Sequence, residues 1–381
     1  MQRGFDVAEY EGRLARAQTA MARAGLSAIL LTLEADIRYF TGFLTRFWES
    51  PTRPWFLIVP AQGKPVAVIP AIGAALMAQT WIDDIRTWPA PEPADDGVSL
   101  LADTLNEIAG KGRIGTPMGL ESHLRMPLAS WASLQARLHG PVGPEHGLVA
   151  GLRAVKSAAE IDKIAQACAI AGRAFARVPQ IAAAGVPLSK VFRDFQGLCL
   201  SEGADWVPYL AGASDAGGYA DVISPARDAP LALGDVLMLD TGLVWDGYFS
   251  DFDRNFSVGP PSRAVEAAHA RLIDATDAAA AIARPGTTAA ELYHALDAVV
   301  TGGQGGSDAG RLGHGVGMQL TEGLSLIPQD HTPLEPGMVI TLEPGVALGA
   351  GRTMVHEEVI AITEGAPRYL SPRAGSGIVR L

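Results

Sequence analysis

The sequence has two cysteines, Cys168 and Cys199, and neither stands in a CxxC or other metal-ligand spacing. So few cysteines exclude a disulfide framework and point to a reducing cytoplasm. Positive charge is scarce as well: 30 Lys and Arg face 41 Asp and Glu, a net charge of −11. Nucleic acid, which needs a basic face, is therefore not an expected partner, and neither is an anionic membrane surface. No apolar run approaches the roughly 20 residues of a membrane span. The longest, Leu26 to Leu33, reads as a buried strand, and Met1 to Asp6 lacks the basic-then-apolar pattern of a secretory signal.

What remains is a globular composition. Apolar residues at 48% and charged residues at 19% exclude a disordered chain. A length of 381 residues exceeds one comfortable core and favours two domains, or three. Residues 9–25 carry Leu14, Ala17, Ala20 and Met21 near helical spacing and stop at Gly25. A strand at 28–31 follows, then strands at 55–60 and 66–70 joined by a turn at Gln62-Gly63-Lys64-Pro65. Helices are expected over 71–80, 98–110 and 127–138, with a strand near 113–120, so residues 1–150 read as an α/β domain. Gly140 to Pro144 reads as punctuation. Beyond it, Ser157 and Glu160 have capping-box spacing at the head of a helix to about Arg177. Helices over 188–202, 262–283 and 288–300 alternate with strands over 235–242, 248–258, 337–343 and 353–362, an α+β domain spanning 151–381.

The chemistry-bearing residues lie in that second half. Val236 to Leu239 is an apolar strand that ends in Asp240, where an unpaired buried carboxylate is costly. The chain turns at Asp246-Gly247 and returns through Asp251. The midpoint between the two aspartates falls about one residue from that turn, so a bulge or a diagonal pairing is expected. Two such carboxylates repel unless a cation or a proton lies between them. Asp253, on the same strand face as Asp251, competes for the role. Gly313-His314-Gly315 puts an imidazole where the backbone can approach closely. Met338 to Leu342 repeats the logic of Asp240, an apolar strand ending in Glu343. Over Met354 to Ile362, alternation puts Glu357 on one face and His356 with Glu358 on the other, without saying which is inside. Each pattern has a bland reading too: a capping aspartate, an exposed one, a loop histidine without a ligand. Together they offer four carboxylates and an imidazole, a set that matches two divalent cations such as Mn, Co, Fe, Zn or Ni.

The order Asp, Asp, His, Glu, Glu resembles the pita-bread metalloenzymes, which include methionine aminopeptidase, aminopeptidase P, prolidase and the metal-free creatinase. The likeness rests on Leu239-Asp240-x-Gly242, Gly247-Tyr248-x-x-Asp251, Gly313-His314-Gly315-x-Gly317 and Glu343-Pro344-Gly345, and Thr363 selects Glu357 over Glu358. Tyr39 to Phe43, the Arg53-Pro54 to Pro60 segment and Leu152 to Ser157 resemble the creatinase/prolidase N-domain and the entry to the catalytic domain. The resemblance implies an α/β N-terminal domain and an α+β pita-bread catalytic domain. It implies that Asp240 binds one ion, His314 and Glu343 the other, and that Asp251 and Glu357 bridge. It further implies a water nucleophile that gives its proton to Glu343, and a homodimer in which Arg46, Phe47 and Trp48 lean over the neighbour's pocket.

The likeness breaks at the substrate-holding groups. The family's peptidases carry a histidine seven residues after the ligand His, where Thr321 stands. A second lies about seventeen residues before the first Asp, where Ile223-Ser224 stand, and the Arg two residues before the last Glu is Val355 here. Tyr209, Tyr219, Ser224, Arg227, Thr321, Glu322, His331 and His356 are the available substitutes. Thr321 is favoured as a catalytic and substrate contact, with Tyr209, Tyr219 and Glu322 as further substrate contacts. His123, His139, His146, His269 and His294 have no assigned role. The expected function is a dinuclear hydrolase of an amide or peptide C–N bond, Xaa-Pro aminopeptidase- or dipeptidase-like. Its substrate would be a small molecule or short peptide. A metal-dependent hydrolase or lyase of a non-peptide metabolite and a non-catalytic binding module are the alternatives.

Overall fold

Short apolar runs bounded by turn residues become strands throughout the chain. The computed structural model describes residues 2–50, 54–305 and 310–381, and they divide into two units, Met1–Arg153 and Ala154–Leu381. Among the described residues no helix is long and apolar enough to cross a membrane.

In the first unit, helix α1 (Val7–Ala24) buries Leu14, Ala17 and Met21 and stops at Gly25, whose φ of 65° a side chain would resist. Strand β1 (Ala28–Leu31) leads to α2 (Glu34–Thr41), then to β2 (Phe56–Pro60) and β3 (Val66–Pro70). These three strands form an antiparallel meander. Strand β4 (Asp84–Trp88) adds parallel to β3, while β5 (Ile114–Thr116) and β6 (Val142–Pro144) add parallel beyond β1. The sheet order is β4-β3-β2-β1-β5-β6. Leu101 and Leu105 of α4 (Val98–Ala109) and Leu134 of α5 (Leu128–Arg137) share a core with Leu30, Phe56, Ile58 and Val68. The helix expected over 71–80 shrinks to a 3-10 turn at Ala71–Gly73 and one α-turn, α3 (Ala74–Met77). Of the segment beginning Arg53-Pro54, Arg53 lies outside the described residues. Phe47 is exposed, whereas Trp48 is buried against Phe43 and Trp55.

A short helix, α6 (Leu148–Ala154), ends at the first residue of the second unit. The expected capping box forms: Ser157 accepts from the Glu160 amide and Glu160 from the Ser157 amide, opening α7 (Ala158–Ala176). Helix α8 (Leu188–Ser201) precedes β7 (Trp206–Ala216), which pairs antiparallel with β8 (Asp235–Trp245). Strand β8 also pairs with β9 (Tyr248–Phe249) and β10 (Phe252–Ser257). Helices α9 (Arg263–Ile282) and α10 (Ala289–Val300) pack together, and their apolar faces share a core with Met238, Ile340 and Ile360. Strand β11 (Val339–Leu342) leads to a hairpin, β12 (Gly345–Gly349) and β13 (Arg352–Val355). Then β14 (Glu358–Ala361) pairs with β11 and with β15 (Arg368–Tyr369), and β16 (Val379–Arg380) closes the chain beside β10.

Two interruptions in these ladders place the chemistry. Thr241 pairs with Phe252 and Val244 with Phe249, so the β8–β9–β10 register is continuous and Asp251 falls in the gap opposite Gly242. Asp240 is opposite Asp253 rather than Asp251, so the diagonal pairing is the one adopted, without a bulge. The strand expected over 353–362 is likewise broken. Leu342 pairs with Glu358 and Gly345 with Val355, so Glu343 and Glu357 face each other across the break between the two ladders. The break has a cause: the His356 amide donates to Pro344, and the Glu357 amide turns away to the Asp253 carboxylate at 3.1 Å.

Candidate metal centre

His314 stands on an extended strip beside β11. Its carbonyl accepts from the Thr341 amide, its amide donates to Thr341 Oγ1, and the Leu312 carbonyl accepts from the Glu343 amide. The flanking glycines are steric necessities. A Cβ on Gly315 would lie 2.0 Å from the Glu322 carbonyl oxygen, and one on Gly313 would lie 2.3 Å from that of Thr341. The imidazole Nδ1 is 2.9 Å from the Gly315 carbonyl, which makes Nδ1 the protonated nitrogen and frees Nε2 as a donor of electrons. Nε2 lies 3.0 Å from Glu343 Oε1 and 3.4 Å from Asp251 Oδ2.

Around it the carboxylates converge. One ligand atom each from Asp251, His314 and Glu357 lies within 4.8 Å of the others, and all three residues are buried. Glu343 joins through His314 and through a hydrogen bond from Thr341 Oγ1. Asp240 Oδ2 accepts from the Tyr209 hydroxyl at 3.1 Å. Burial, with the charges of Asp253 and Glu343, pushes the Asp240 carboxyl up to about 8. Burial and the neighbouring carboxylates push Asp251 and Glu357 well above the ordinary range. Burial would raise Glu343 too, but His314, Thr341 and Glu357 outweigh it and hold it at about 2. Asp240 Oδ1 and Glu357 Oε1 are buried with no hydrogen-bond partner among the described residues. Crowded carboxylates with orphaned oxygens, next to an imidazole whose other nitrogen is tied down, fit divalent cations: these raise no repulsion and use the lone pairs left over.

The remaining expected site residues divide. Tyr209 orients a carboxylate of the cluster. Thr321 accepts from Arg311 Nη2 at 3.0 Å. Glu322 is buried in an ion pair with Lys156 at 2.9 Å, and a Cβ on Gly317 would meet its carboxylate, so its charge is already matched inside the protein. Tyr219 is 1% exposed; its hydroxyl donates to Asn255 at 3.0 Å and accepts from the Val355 amide at 2.7 Å. The structure thus shows it joining β10 to β13. Ser224 hydrogen-bonds Asp221 in a loop, Arg227 and His331 are exposed, and His356 is buried between Asp253 and Glu358.

Thr341, Arg254 and Arg311 went unread, and Asp253 was read only as a rival ligand. Thr341 shares a strand face with Glu343, a parity visible in the sequence. Asp253 serves through the Glu357 amide, and Arg254 holds the Glu357 carbonyl at 3.0 Å while pairing with the Glu358 carboxylate. Both are adjacent in sequence but act across about a hundred residues, which spacing does not reveal. Arg311 lies outside every motif.

Comparison with known proteins agrees with this geometry. The model of metallopeptidase family M24 matches residues 162–364, and that of the creatinase/prolidase N-terminal domain matches residues 13–155. The probable dipeptidase PepE of Mycobacterium tuberculosis is 28% identical over 375 residues, 95% of this chain and 94% of that one. The agropine synthesis cyclase of Rhizobium rhizogenes is 28% identical over 405 residues, 95% of this chain and 96% of that one. The crystal structure of dipeptidase PepE from Mycobacterium ulcerans superposes with a TM-score of 0.83 at 30% identity, covering 99% of each chain. With one family model covering more than half of its length and the other most of the rest, the chain belongs to metallopeptidase family M24, in its creatinase/prolidase branch, and is a metal-dependent hydrolase.

Proposed function

We propose that the chain is a dinuclear hydrolase of the C–N bond of short peptides, with Asp240, Asp251, His314, Glu343 and Glu357 as its metal ligands. The observation that carries this reading is the convergence of Asp251, Glu343 and Glu357 on His314, with a buried oxygen of Asp240 and one of Glu357 left unpartnered. Divalent cations held there would acidify a water molecule and polarise a scissile carbonyl. The protein's own groups supply the rest. Gly315 fixes the His314 tautomer, Tyr209 holds Asp240, and Thr341 fixes Glu343. Glu343, the least buried of these carboxylates beside His314, is the proposed acceptor of the proton lost by the attacking water. The dipeptidases among the relatives support a small peptide substrate, with Xaa-Pro dipeptides the first class to try. The two buried, unpaired cysteines suit a reducing cytoplasm.

A second reading keeps the metals and changes the substrate to a non-peptide metabolite. It is favoured by Thr321 and Ile223-Ser224 at the positions of the peptidases' histidines, and by similarity to a cyclase along most of the chain. One assay separates the two: Mn-, Co- and Zn-loaded protein with a panel of Xaa-Pro and other di- and tripeptides, and Glu343→Ala as the blank. Turnover lost in the variant is the expected result. Bound metal with no turnover of any peptide would overturn the peptidase reading in favour of the second.

A further inference from the structure

Glu357 stands in the break between β13 and β14, where neither ladder reaches its backbone. Buried peptide groups without a ladder partner must be met elsewhere. Here three consecutive side chains of β10 meet them. The Asp253 carboxylate accepts from the Glu357 amide at 3.1 Å, Arg254 Nη1 donates to the Glu357 carbonyl at 3.0 Å, and Asn255 Nδ2 donates to the Val355 carbonyl at 2.6 Å. Asp253 and Asn255 share one face of the strand, while Arg254 leaves from the other, over the Phe252 ring. Its guanidinium goes on to the C-terminal segment, where Nη2 donates to the Pro372 carbonyl and pairs with Glu358 at 3.0 Å. The buried Glu358 carboxylate also accepts from Ser371 Oγ and from the Ala374 amide at 2.9 Å. Ser371 Oγ in turn accepts from the Val359 amide at 2.9 Å. The same segment lies against α7, where Gly172 has no room for a Cβ beside Pro372.

We propose that Asp253 and Arg254 are positioning residues that clamp Glu357, and that residues 371–374 of the C-terminal segment belong to the scaffold of the metal site through Arg254 and Glu358. The inference rests on the reading of the cluster as a dinuclear site in which Glu357 bridges. A binding constellation must be held to within about 0.5 Å, and a residue outside both ladders is not held there by its sheet. The clamp takes Glu357 at both of its peptide groups, with partners of opposite charge, and hydrogen bonds to charged groups are stronger than those of a neutral ladder. The two adjacent glutamates thereby have separate tasks. Glu357 faces Asp251 and His314, while Glu358 anchors the guanidinium that holds Glu357. A lysine at position 254 would keep the charge but, as a point donor, would not span the Glu357, Glu358 and Pro372 oxygens as a planar fork does.

The test is Mn binding by the full chain, followed by calorimetry and by the Mn electron paramagnetic resonance spectrum, which separates a coupled pair of ions from isolated ones. The variants are R254Q, R254K, S371A and the double variant R254Q/E358Q, which removes both charges of the buried pair and leaves neither unmatched. V191A, in the core beneath α8, is the control for lost stability alone. The weaker of the two ions should bind about tenfold to a hundredfold less tightly in R254Q and in the double variant, and the signal of isolated ions should replace that of the pair. R254K should recover part of both, S371A should show a smaller loss, and V191A should lower Tm while keeping the coupled pair. In the metal-free protein, amide exchange over residues 354–359, read by mass spectrometry, should quicken in R254Q and the double variant but not in V191A. A coupled pair of unchanged affinity in R254Q and R254Q/E358Q would overturn the proposal and leave the dinuclear reading standing. A wild type that binds one ion only overturns the dinuclear reading, and the clamp on Glu357 is then upheld or overturned by the exchange rates alone.

Discussion

Asp240 illustrates how much one residue must be held to be useful. One oxygen takes a hydrogen bond from Tyr209, the other takes none, and burial with its neighbours' charges lifts the carboxyl to about 8. A raised carboxyl keeps its proton in the metal-free protein below that pH, and a cation must displace it. Metal binding should therefore release protons at pH 6 to 7, and affinity should rise with pH. Calorimetry of Mn binding in buffers of different ionisation enthalpy reads the release directly, and the Asp240→Asn variant should release fewer protons. Binding independent of pH would contradict the burial of these carboxylates. At this scale much of the cluster was legible. A carboxylate ending an apolar strand, or an imidazole between glycines, marks itself in one sequence by being costly or unusual there. The supporting residues did not mark themselves. Glu322 reads as an available acid until Lys156 is seen against it, and Arg311 stands in no motif although its side chain reaches Thr321.

Strands reveal the next layer, since Asp251, Glu343 and Glu357 sit where a ladder is interrupted without losing register. Continuous apolar runs located these strands well, because Val236 to Leu239 and Val339 to Leu342 are buried on both faces. Alternation did not locate the breaks: His356 and Glu357 continue it, and only the pull of Pro344 and Asp253 on their amides ends the strand. Strand β7 was missed because Ala211 to Ala216 is made of small and polar residues, and β4 because its Asp84, Arg86 and Thr87 are charged or polar on an outer strand. Tyr219 follows from the same limit, since its role spans two strands that are distant in sequence. Tyr219→Phe removes a hydroxyl that satisfies the buried Asn255 side chain and the Val355 amide. A loss of about 1–3 kcal/mol in stability is expected, seen as a lower Tm. KM for any substrate found should stay the same; a raised KM with an unchanged Tm would return Tyr219 to the substrate pocket.

Over the whole molecule, the expected classes match the structure: an α/β first half, and an α+β second half with antiparallel hairpins. Composition excluded what it could, and the order of five ligand-type residues carried the family. Neither fixes the substrate, because the side chains that line a pocket belong to no repeating pattern. The central claim is that residues from four separate segments of the second unit form one site for two cations. Equilibrium dialysis of the metal-stripped chain against Mn, with Asp251→Asn in parallel, tests it most directly. Two tightly bound ions per chain, falling below two when Asp251 loses its charge, is the predicted result. No tight binding, or binding that Asp251→Asn leaves unchanged, would contradict the account.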